Sequence, residues 1–190
     1  MQKTIFIPVS APLRSPVTKL GGQPTWLELA TWPISARLGV PMRFIAQFRL
    51  NDDDAASSLA YVVMTDDDDS GSAETWAAEA GENAVIIQPA GRIPPFLTVV
   101  AALGEGPGLS GEFLPESREV GAGEYVTQFL GAPGVAPVWL QGDQTPGFGW
   151  RLIAQLDSQA TPAAGLGGDW VGYAFVSPDG REGRFLWQCT

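Results

Sequence analysis

The chain has 190 residues and a formal net charge of −10, with 23 glycines, 16 prolines, one cysteine and no histidine. A charge of that sign and size repels nucleic acid, so we expect no direct nucleic-acid partner. Without histidine, Ser-His-Asp and Cys-His catalysis and histidine-ligated zinc or iron sites are excluded, whereas catalysis by carboxylates alone is not.

Length and turn-forming residues predict a single strand-rich domain. A chain of 190 residues is long enough for one well-cored domain. The glycines and prolines break it into short pieces, which favours strands and turns over long helices. Met1–Val9 lacks the features of a signal peptide, and no run is long enough to span a membrane, so we expect a cytoplasmic protein without a membrane partner. The single cysteine, Cys189, excludes an intrachain disulfide.

Alternation and turn signals predict the elements in chain order. Glycines Gly21 and Gly22 predict a backbone turn, because a phosphate loop needs a lysine or a third spaced glycine as well. The segment from Glu112 to Leu130 fits either a short helix or a strand. Predicted elements are strands at 4–9, 42–50, 61–64, 84–88, 96–103 and 150–156, a short helix at 72–80 closed by Gly81, and a hairpin of 170–176 and 184–188 around Ser177-Pro178-Asp179-Gly180.

The central strand occurs twice. Arg43-Phe44-Ile45-Ala46-Gln47-Phe48-Arg49 is answered by Arg151-Leu152-Ile153-Ala154-Gln155-Leu156-Asp157. Three flanking matches keep the same order, although unrelated strands also resemble one another: 20–24 with 130–133, 61–66 with 173–179, and 85–88 with 185–188. They predict one domain, 1–190, built from two diverged β-rich repeats at about 19–90 and 129–190. The predicted fold class is α+β, mainly β, with few short helices.

Each copy of the repeated strand has an apolar face. Gln47 and Gln155 lie on the opposite face, and we interpret them as structural residues, because an amide in a strand more often bonds backbone than performs chemistry. The apolar residues predicted to face one core are Met42, Phe44, Ala46, Phe48 and Leu50 in the first copy and Trp150, Leu152, Ala154 and Leu156 in the second.

Negative charge is concentrated in one window. Between Arg49 and Arg92 there is no lysine or arginine, and ten of the 21 acids lie there. The other eleven acids (21 minus 10) balance the eleven basic residues, so the whole net charge of −10 comes from this window. The ten acids are Asp52, Asp53, Asp54, Asp66, Asp67, Asp68, Asp69, Glu74, Glu79 and Glu82.

The acidic window has three interpretations. It is a solvated pair of loops, a surface for a cationic partner, or a weak cation site. Asp66, Asp68, Ser70 and Gly71 fit the first positions of a calcium loop, but Ala77 stands where a bidentate glutamate is needed, so we predict neither a metal site nor a cofactor. The residues predicted to bind a partner are Asp52, Asp53, Asp54, Asp66, Asp67, Asp68, Asp69, Glu74 and Glu79.

A set of short motifs from Lys19 onward carries a family resemblance. The motifs are Gly21-Gly22-Gln23-Pro24, Trp32-Pro33, Pro41-Met42-Arg43-Phe44-Ile45-Ala46-Gln47-Phe48, Leu130-Gly131-Ala132-Pro133, Gln141-Gly142-Asp143, Leu152-Ile153-Ala154-Gln155-Leu156-Asp157-Ser158, Gly168-Asp169-Trp170-Val171-Gly172-Tyr173 and Trp187-Gln188-Cys189. By these motifs the chain resembles the YwqG-like bacterial family, a domain of unknown function. This chain differs in its aspartate-rich segment between Asn51 and Asp69.

The resemblance implies a β-rich α+β fold, no established catalytic residues, and frequent occurrence beside bacterial toxins as an immunity protein. Many such toxins are nucleases with basic clefts, which an acidic surface can occupy. We therefore expect a cytoplasmic, non-enzymatic immunity protein that binds and neutralises a cognate toxin, a nuclease effector above all. The alternatives are a carboxylate-dependent hydrolase acting on carbohydrate and a small-ligand or cation-binding module.

Overall fold

The computed structural model describes residues 2–51, 57–66, 73–101, 103–121, 123–161 and 168–189. Strands make up its regular structure, so the prediction of a mainly β protein is confirmed, and the described residues contain no helix. The strands are β1 (Gln2–Pro8), β2 (Lys19–Gly21), β3 (Thr31–Ile34), β4 (Arg43–Arg49), β5 (Leu59–Met64), β6 (Asn83–Gln88), β7 (Thr98–Ala101), β8 (Glu112–Glu119), β9 (Phe129–Leu130), β10 (Arg151–Asp157), β11 (Trp170–Val176) and β12 (Gly183–Cys189).

The predicted helix at 72–80 is a series of turns and bends over its described residues, 73–80. The carbonyls that a helix would use internally bond elsewhere. Asn83 Nδ2 donates to the carbonyl oxygens of Thr75 and Ala77, at 2.7 and 3.1 Å. The backbone N–H of Trp187 donates to the carbonyl of Trp76. Tertiary hydrogen bonds therefore override the helix propensity of the alanines and glutamates.

The chain forms two main sheets and a small one. The six-stranded sheet has the order β1-β8-β2-β4-β5-β6, the four-stranded sheet β12-β11-β10-β9, and β3 pairs with β7. Two antiparallel units have the same order, β2-β4-β5-β6 and β9-β10-β11-β12. The register also corresponds, because Leu20 pairs with Ala46 and Leu130 with Ala154. The undecided segment from Glu112 resolves into β8 and β9.

A β-bulge divides each copy of the repeated strand between two cores. The register shifts between Phe44 and Ala46 in β4, and between Leu152 and Ala154 in β10. The extra residue reverses the side-chain alternation at that point. Phe44 therefore faces the outer side of its sheet and Ala46 the inner side, so the prediction of one apolar face for the whole strand is wrong.

Three apolar clusters fill the molecule. The first lies between the two main sheets and includes residues of both, such as Phe48, Val62, Trp170 and Phe185. The other two lie on the outer faces, each beneath a covering loop. Both faces of the central strands are buried as a result, which explains their nearly continuous apolar sequences.

Three side chains of the first sheet hold its covering loop. Gln47 Oε1 accepts a hydrogen bond from the backbone N–H of Thr25 at 2.8 Å, and the Tyr61 hydroxyl donates to the Thr25 carbonyl at 2.8 Å. Gln88 Oε1 accepts from the N–H of Leu27 at 3.0 Å. The ring of Tyr61 also packs on that of Trp26, with centroids 4.6 Å apart. Buried loop backbone is thereby satisfied by strand side chains.

The second half uses corresponding residues in the same way. Gln155 Oε1 accepts from the N–H of Val138 at 2.8 Å, and the Tyr173 hydroxyl donates to the Val138 carbonyl at 3.1 Å. Gln188 Oε1 accepts from the N–H of Gln141 at 2.9 Å. Val138 bonds Gln155 as Thr25 bonds Gln47, so Val138 corresponds to Thr25. The proline equivalent to Pro24 is therefore Pro137, whereas the sequence analysis matched Pro24 with Pro133.

The two main sheets also meet at their edges. The N–H of Thr4 in β1 donates to the carbonyl of Gln128, which precedes β9, at 2.9 Å. At the opposite side, a Cβ on Gly183 of β12 would collide with the side chain of Val85 in β6. Glycine is required there because the strands approach closely.

An exposed ionic cluster joins the same pair of edges. Arg92, just after β6, contacts Asp179 and Glu182 in the turn between β11 and β12. Its guanidinium, followed by the Ser177 hydroxyl, holds the pKa of Asp179 well below its usual range.

We expect Tyr61→Phe and Tyr173→Phe each to lower the free energy of unfolding by about 1 to 3 kcal/mol, because each leaves buried loop backbone without a partner. Burial raises the pKa of both phenols, so the hydroxyls remain donors at neutral and mildly alkaline pH. Urea denaturation measures the effect. Tyr125→Phe is the control, since Tyr125 is 64% exposed. A loss no larger than that of the control would contradict the role given to the two hydroxyls.

The lowered pKa of Asp179 predicts a pH-dependent contribution to stability. The contribution is complete above the pKa of the unfolded carboxyl, about 4, and is lost as pH falls toward the lower pKa of the folded state. The difference in stability between the natural protein and Asp179→Asn should therefore shrink on acidification. Denaturation at a series of pH values checks this, with the exposed Asp169→Asn as control. A gap that does not change with pH would refute the linkage.

Candidate functional site

The largest difference between the two halves lies in one hairpin. We call residues 65–82, between β5 and β6, the acidic connection. Its ends correspond to those of the turn between β11 and β12, because the N–H of Thr65 donates to Glu82 O and that of Ser177 to Glu182 O, both at 2.8 Å. Four residues, 178–181, lie between the second pair, whereas sixteen, 66–81, lie between the first. The acidic connection is thus twelve residues longer (16 minus 4) than its counterpart.

The described part of this connection packs against the second half. The rings of Trp76 and Trp187 meet edge to face with centroids 6.2 Å apart, and Trp187 Nε1 donates to Thr75 Oγ1 at 3.2 Å. The side chain of Ala78 contacts the outer apolar cluster of the second half. These contacts give residues 73–82 a defined position, although their backbone forms turns and bends rather than a helix or a strand.

Arg184 in β12 anchors the connection electrostatically. This side chain is 10% exposed and forms ion pairs with Glu79 at 3.1 Å and Glu182 at 2.6 Å. Its guanidinium also lies over the rings of Phe96, at 4.8 Å, and Trp150, at 5.4 Å. One buried cation thus joins segments from both halves.

The structure describes three of the nine acids predicted to bind a partner. Asp66 is ion-paired with Arg43, and Glu79 with Arg184. Glu74 is exposed to solvent. The other six, Asp52, Asp53, Asp54, Asp67, Asp68 and Asp69, lie outside the described residues.

The connections that contain the two aspartate runs join opposite ends of β5. Arg49 pairs with Leu59 at one end of this strand, and Arg43 pairs with Met64 at the other. Five residue steps separate Leu59 from Met64, which is about 17 Å along a strand. Glu74 and Glu79 belong to the same connection as the second run, so the strand topology groups them with Asp66–Asp69 and not with Asp52–Asp54.

Glu82, the remaining acid of the window, has a structural role. It is 3% exposed. Its carboxylate accepts hydrogen bonds from the hydroxyls of Ser35 and Thr65, at 2.6 and 2.7 Å, and from the N–H of Arg37 at 2.7 Å. The carboxylate therefore fixes the end of the connection to the loop after β3.

Trp76 is a surface residue that the sequence analysis did not single out. It is 45% exposed and lies two residues from Glu74 and three from Glu79. A half-exposed tryptophan held by a second tryptophan is a rigid apolar contact surface within an acidic segment. The signal available in the sequence was a tryptophan inside the most charged window of the chain.

Three features of the described residues bear on metal binding, carbohydrate hydrolysis and membrane insertion. No group of three or more His, Cys, Asp or Glu side chains among them could hold a metal ion. Two cavities, of about 510 and 400 Å³, have a single carboxylate between them, that of Glu112, whereas glycoside hydrolysis needs a pair. The described residues also include no helix of the length and hydrophobicity needed to cross a membrane.

A comparison with models of known protein families finds no match for this chain, and a comparison with curated proteins finds none either.

Glu79 and Arg184 form an ion pair, but their different exposure to solvent predicts unequal contributions to stability. Glu79→Gln should lower the free energy of unfolding by less than about 1 kcal/mol, because 67% of the Glu79 side chain is exposed. Arg184→Met should lower it by about 3 kcal/mol, because the largely buried Glu182 then loses its nearer cation and keeps Arg92, at 3.5 Å. Chemical denaturation measures both variants. Equal losses would show that Arg184 does not organise the network.

Proposed function

We propose that this protein is a cytoplasmic, non-enzymatic immunity protein that binds and neutralises a bacterial toxin with a basic nuclease domain. The resemblance to the YwqG-like family and the concentration of negative charge both support this function. The observation that carries it is the acidic connection, which extends one hairpin of a scaffold whose corresponding hairpin closes in four residues.

The extra length is not needed to close the strands. Thr65 and Glu82 make the same backbone bond as Ser177 and Glu182, and a short turn suffices in the second case. Long loops with no secondary structure of their own are uncommon in compact domains and are often functional. A partner-binding role accounts for a segment that adds six acids and a tryptophan, Asp66–Asp69, Glu74, Glu79 and Trp76.

The chemistry of the connection fits a cationic protein surface. Aromatic residues supply most of the energy in protein interfaces, while surrounding charges raise the rate of encounter and exclude partners of the same sign. Trp76 is the candidate anchor, and the acids around it form the rim. Basic, phosphate-binding clefts of nucleases complement such a surface.

The two aspartate runs belong to different connections, so we expect them to play different parts. Asp66–Asp69 and Glu74 share the connection with Trp76 and are expected to contact the partner. Asp52–Asp54 belong to the connection at the other end of β5 and are expected to act mainly through the long-range field.

The test measures binding kinetics with the inactive nuclease domain of the toxin encoded beside this protein. Trp76→Ala should weaken binding at least about tenfold through faster dissociation. A variant in which Asp66–Asp69 are all replaced by Asn and Glu74 by Gln should associate about tenfold more slowly at low salt, with a smaller effect at high salt. A variant in which Asp52–Asp54 are all replaced by Asn should slow association less than the variant at 66–69 does, and it should leave the dissociation rate unchanged.

Each variant is checked for a cooperative unfolding transition before binding is measured. Tyr125→Ala is the matched aromatic control, because Tyr125 is exposed and lies outside the acidic connection. Association that is indifferent to ionic strength, or a dissociation rate unaffected by Trp76→Ala, would overturn the proposed interface. Failure of the natural protein to block nuclease activity would overturn the function.

A further inference from the structure

A cavity of about 510 Å³ lies far along the chain from the acidic connection. Three segments line it: residues 9–14 after β1, residues 22–25 after β2, and residues 111–112 at the start of β8. Its size falls in the range of pockets that hold small organic molecules. The proposed toxin interface makes no use of it, so an inference about this cavity stands apart from that function.

A buried ion pair lies beneath the cavity. Lys19 is 0% exposed, and its Nζ lies 3.1 Å from Glu112 Oε1 and 3.0 Å from the Leu13 carbonyl oxygen. The N–H of Leu13 donates to the other carboxylate oxygen of Glu112. Both charges are therefore compensated within the protein, and Glu112 has no free charge to offer a cation.

The ion pair is specific to the first half. Lys19 pairs with Gln47, and the residue that pairs with the corresponding Gln155 is Phe129. The scaffold thus accepts an apolar side chain at this position, and a buried ion pair is seldom more stabilising than a well-packed apolar one. Both charges of the pair bond Leu13, so the pair fixes the segment after β1 that forms one wall of the cavity.

Arg14 is the charged residue of the cavity wall that is not held by a close ion pair. Its side chain is 82% exposed, and its ionic partner, Glu105, is at 3.9 Å, beyond hydrogen-bonding distance, and is itself 73% exposed. The lining also includes Ser10 and Thr25, which carry hydroxyls, and the apolar residues Pro12 and Leu13. Of the two charged lining residues, Glu112 is compensated by Lys19, so Arg14 is the one that can pair with an anion beside an apolar surface.

We propose that this cavity binds a small carboxylic acid with an apolar body. The carboxylate pairs with Arg14 and accepts hydrogen bonds from the hydroxyls, while the body packs on the proline and leucine side chains. Gly22 keeps the Glu112 carboxylate in place, since its φ is +69° and a Cβ there would collide with that carboxylate.

Calorimetry with three probes of one shape tests the proposal: phenylacetate, 2-phenylethanol and phenethylamine. Phenylacetate should bind most tightly, the alcohol at least about tenfold more weakly, and the amine most weakly. Arg14→Gln should reduce the affinity for phenylacetate to that for the alcohol. Arg118→Gln, which removes an exposed arginine from the far end of β8, should change nothing.

A blocking variant and a local readout complete the test. Ser10→Trp should abolish binding of all three probes by filling the cavity, and phenylacetate should shift the amide NMR signals of Gly22 and Gly111. The proposal is overturned if phenylacetate fails to bind at millimolar concentration, if the alcohol or the amine binds as tightly, or if the shifts lie elsewhere. None of these measurements uses a toxin, so their outcome is independent of the proposed immunity function.

Discussion

The need to satisfy buried backbone in the covering loops constrains the whole structure. The central strands of each main sheet are buried on both faces, so the loop over their outer face cannot bond water freely. In each half, two glutamines and one tyrosine from neighbouring strands supply the missing partners, Gln47, Tyr61 and Gln88 in the first and Gln155, Tyr173 and Gln188 in the second. The glutamines are thus part of the core, and their matching positions reflect matching architecture.

The two halves share this architecture but differ at two places, and the proposed functions rest on these differences. The acidic connection extends one hairpin by twelve residues, and Lys19 replaces the aromatic residue found at the corresponding place, Phe129. The second half forms the corresponding strands without either feature. One adds acids and a half-exposed tryptophan on the surface, and the other places an ion pair under a cavity. A cationic protein and a small anion are the ligands that we propose for these features.

The distribution of charge is less simple than its total. The window from Asp52 to Glu82 accounts for the net charge of the chain, yet Glu82 is buried as a structural residue. Asp66 and Glu79 are already paired with arginines. Paired carboxylates still contribute to the local geometry, but much of their field is cancelled at short range. Charge counting therefore overstates what the described acids offer a partner.

The sequence by itself predicted most of the strands, the repeated strand and the acidic window, because alternation, turn residues and charge are local properties that the printed residues carry. It did not predict β2 and β3, and it left the segment of β8 and β9 undecided. Only the tertiary structure decided the rest. The bulge after Phe44 reverses a face that alternation assigns to one core, and Asn83 and Trp187 take the carbonyls that would have made a helix of residues 72–80. Trp76 is a half-exposed surface residue and Lys19 a buried cation, and each is held by a residue over 90 positions away, Trp187 and Glu112 respectively. Such contacts depend on how the chain folds back on itself, which no local pattern records.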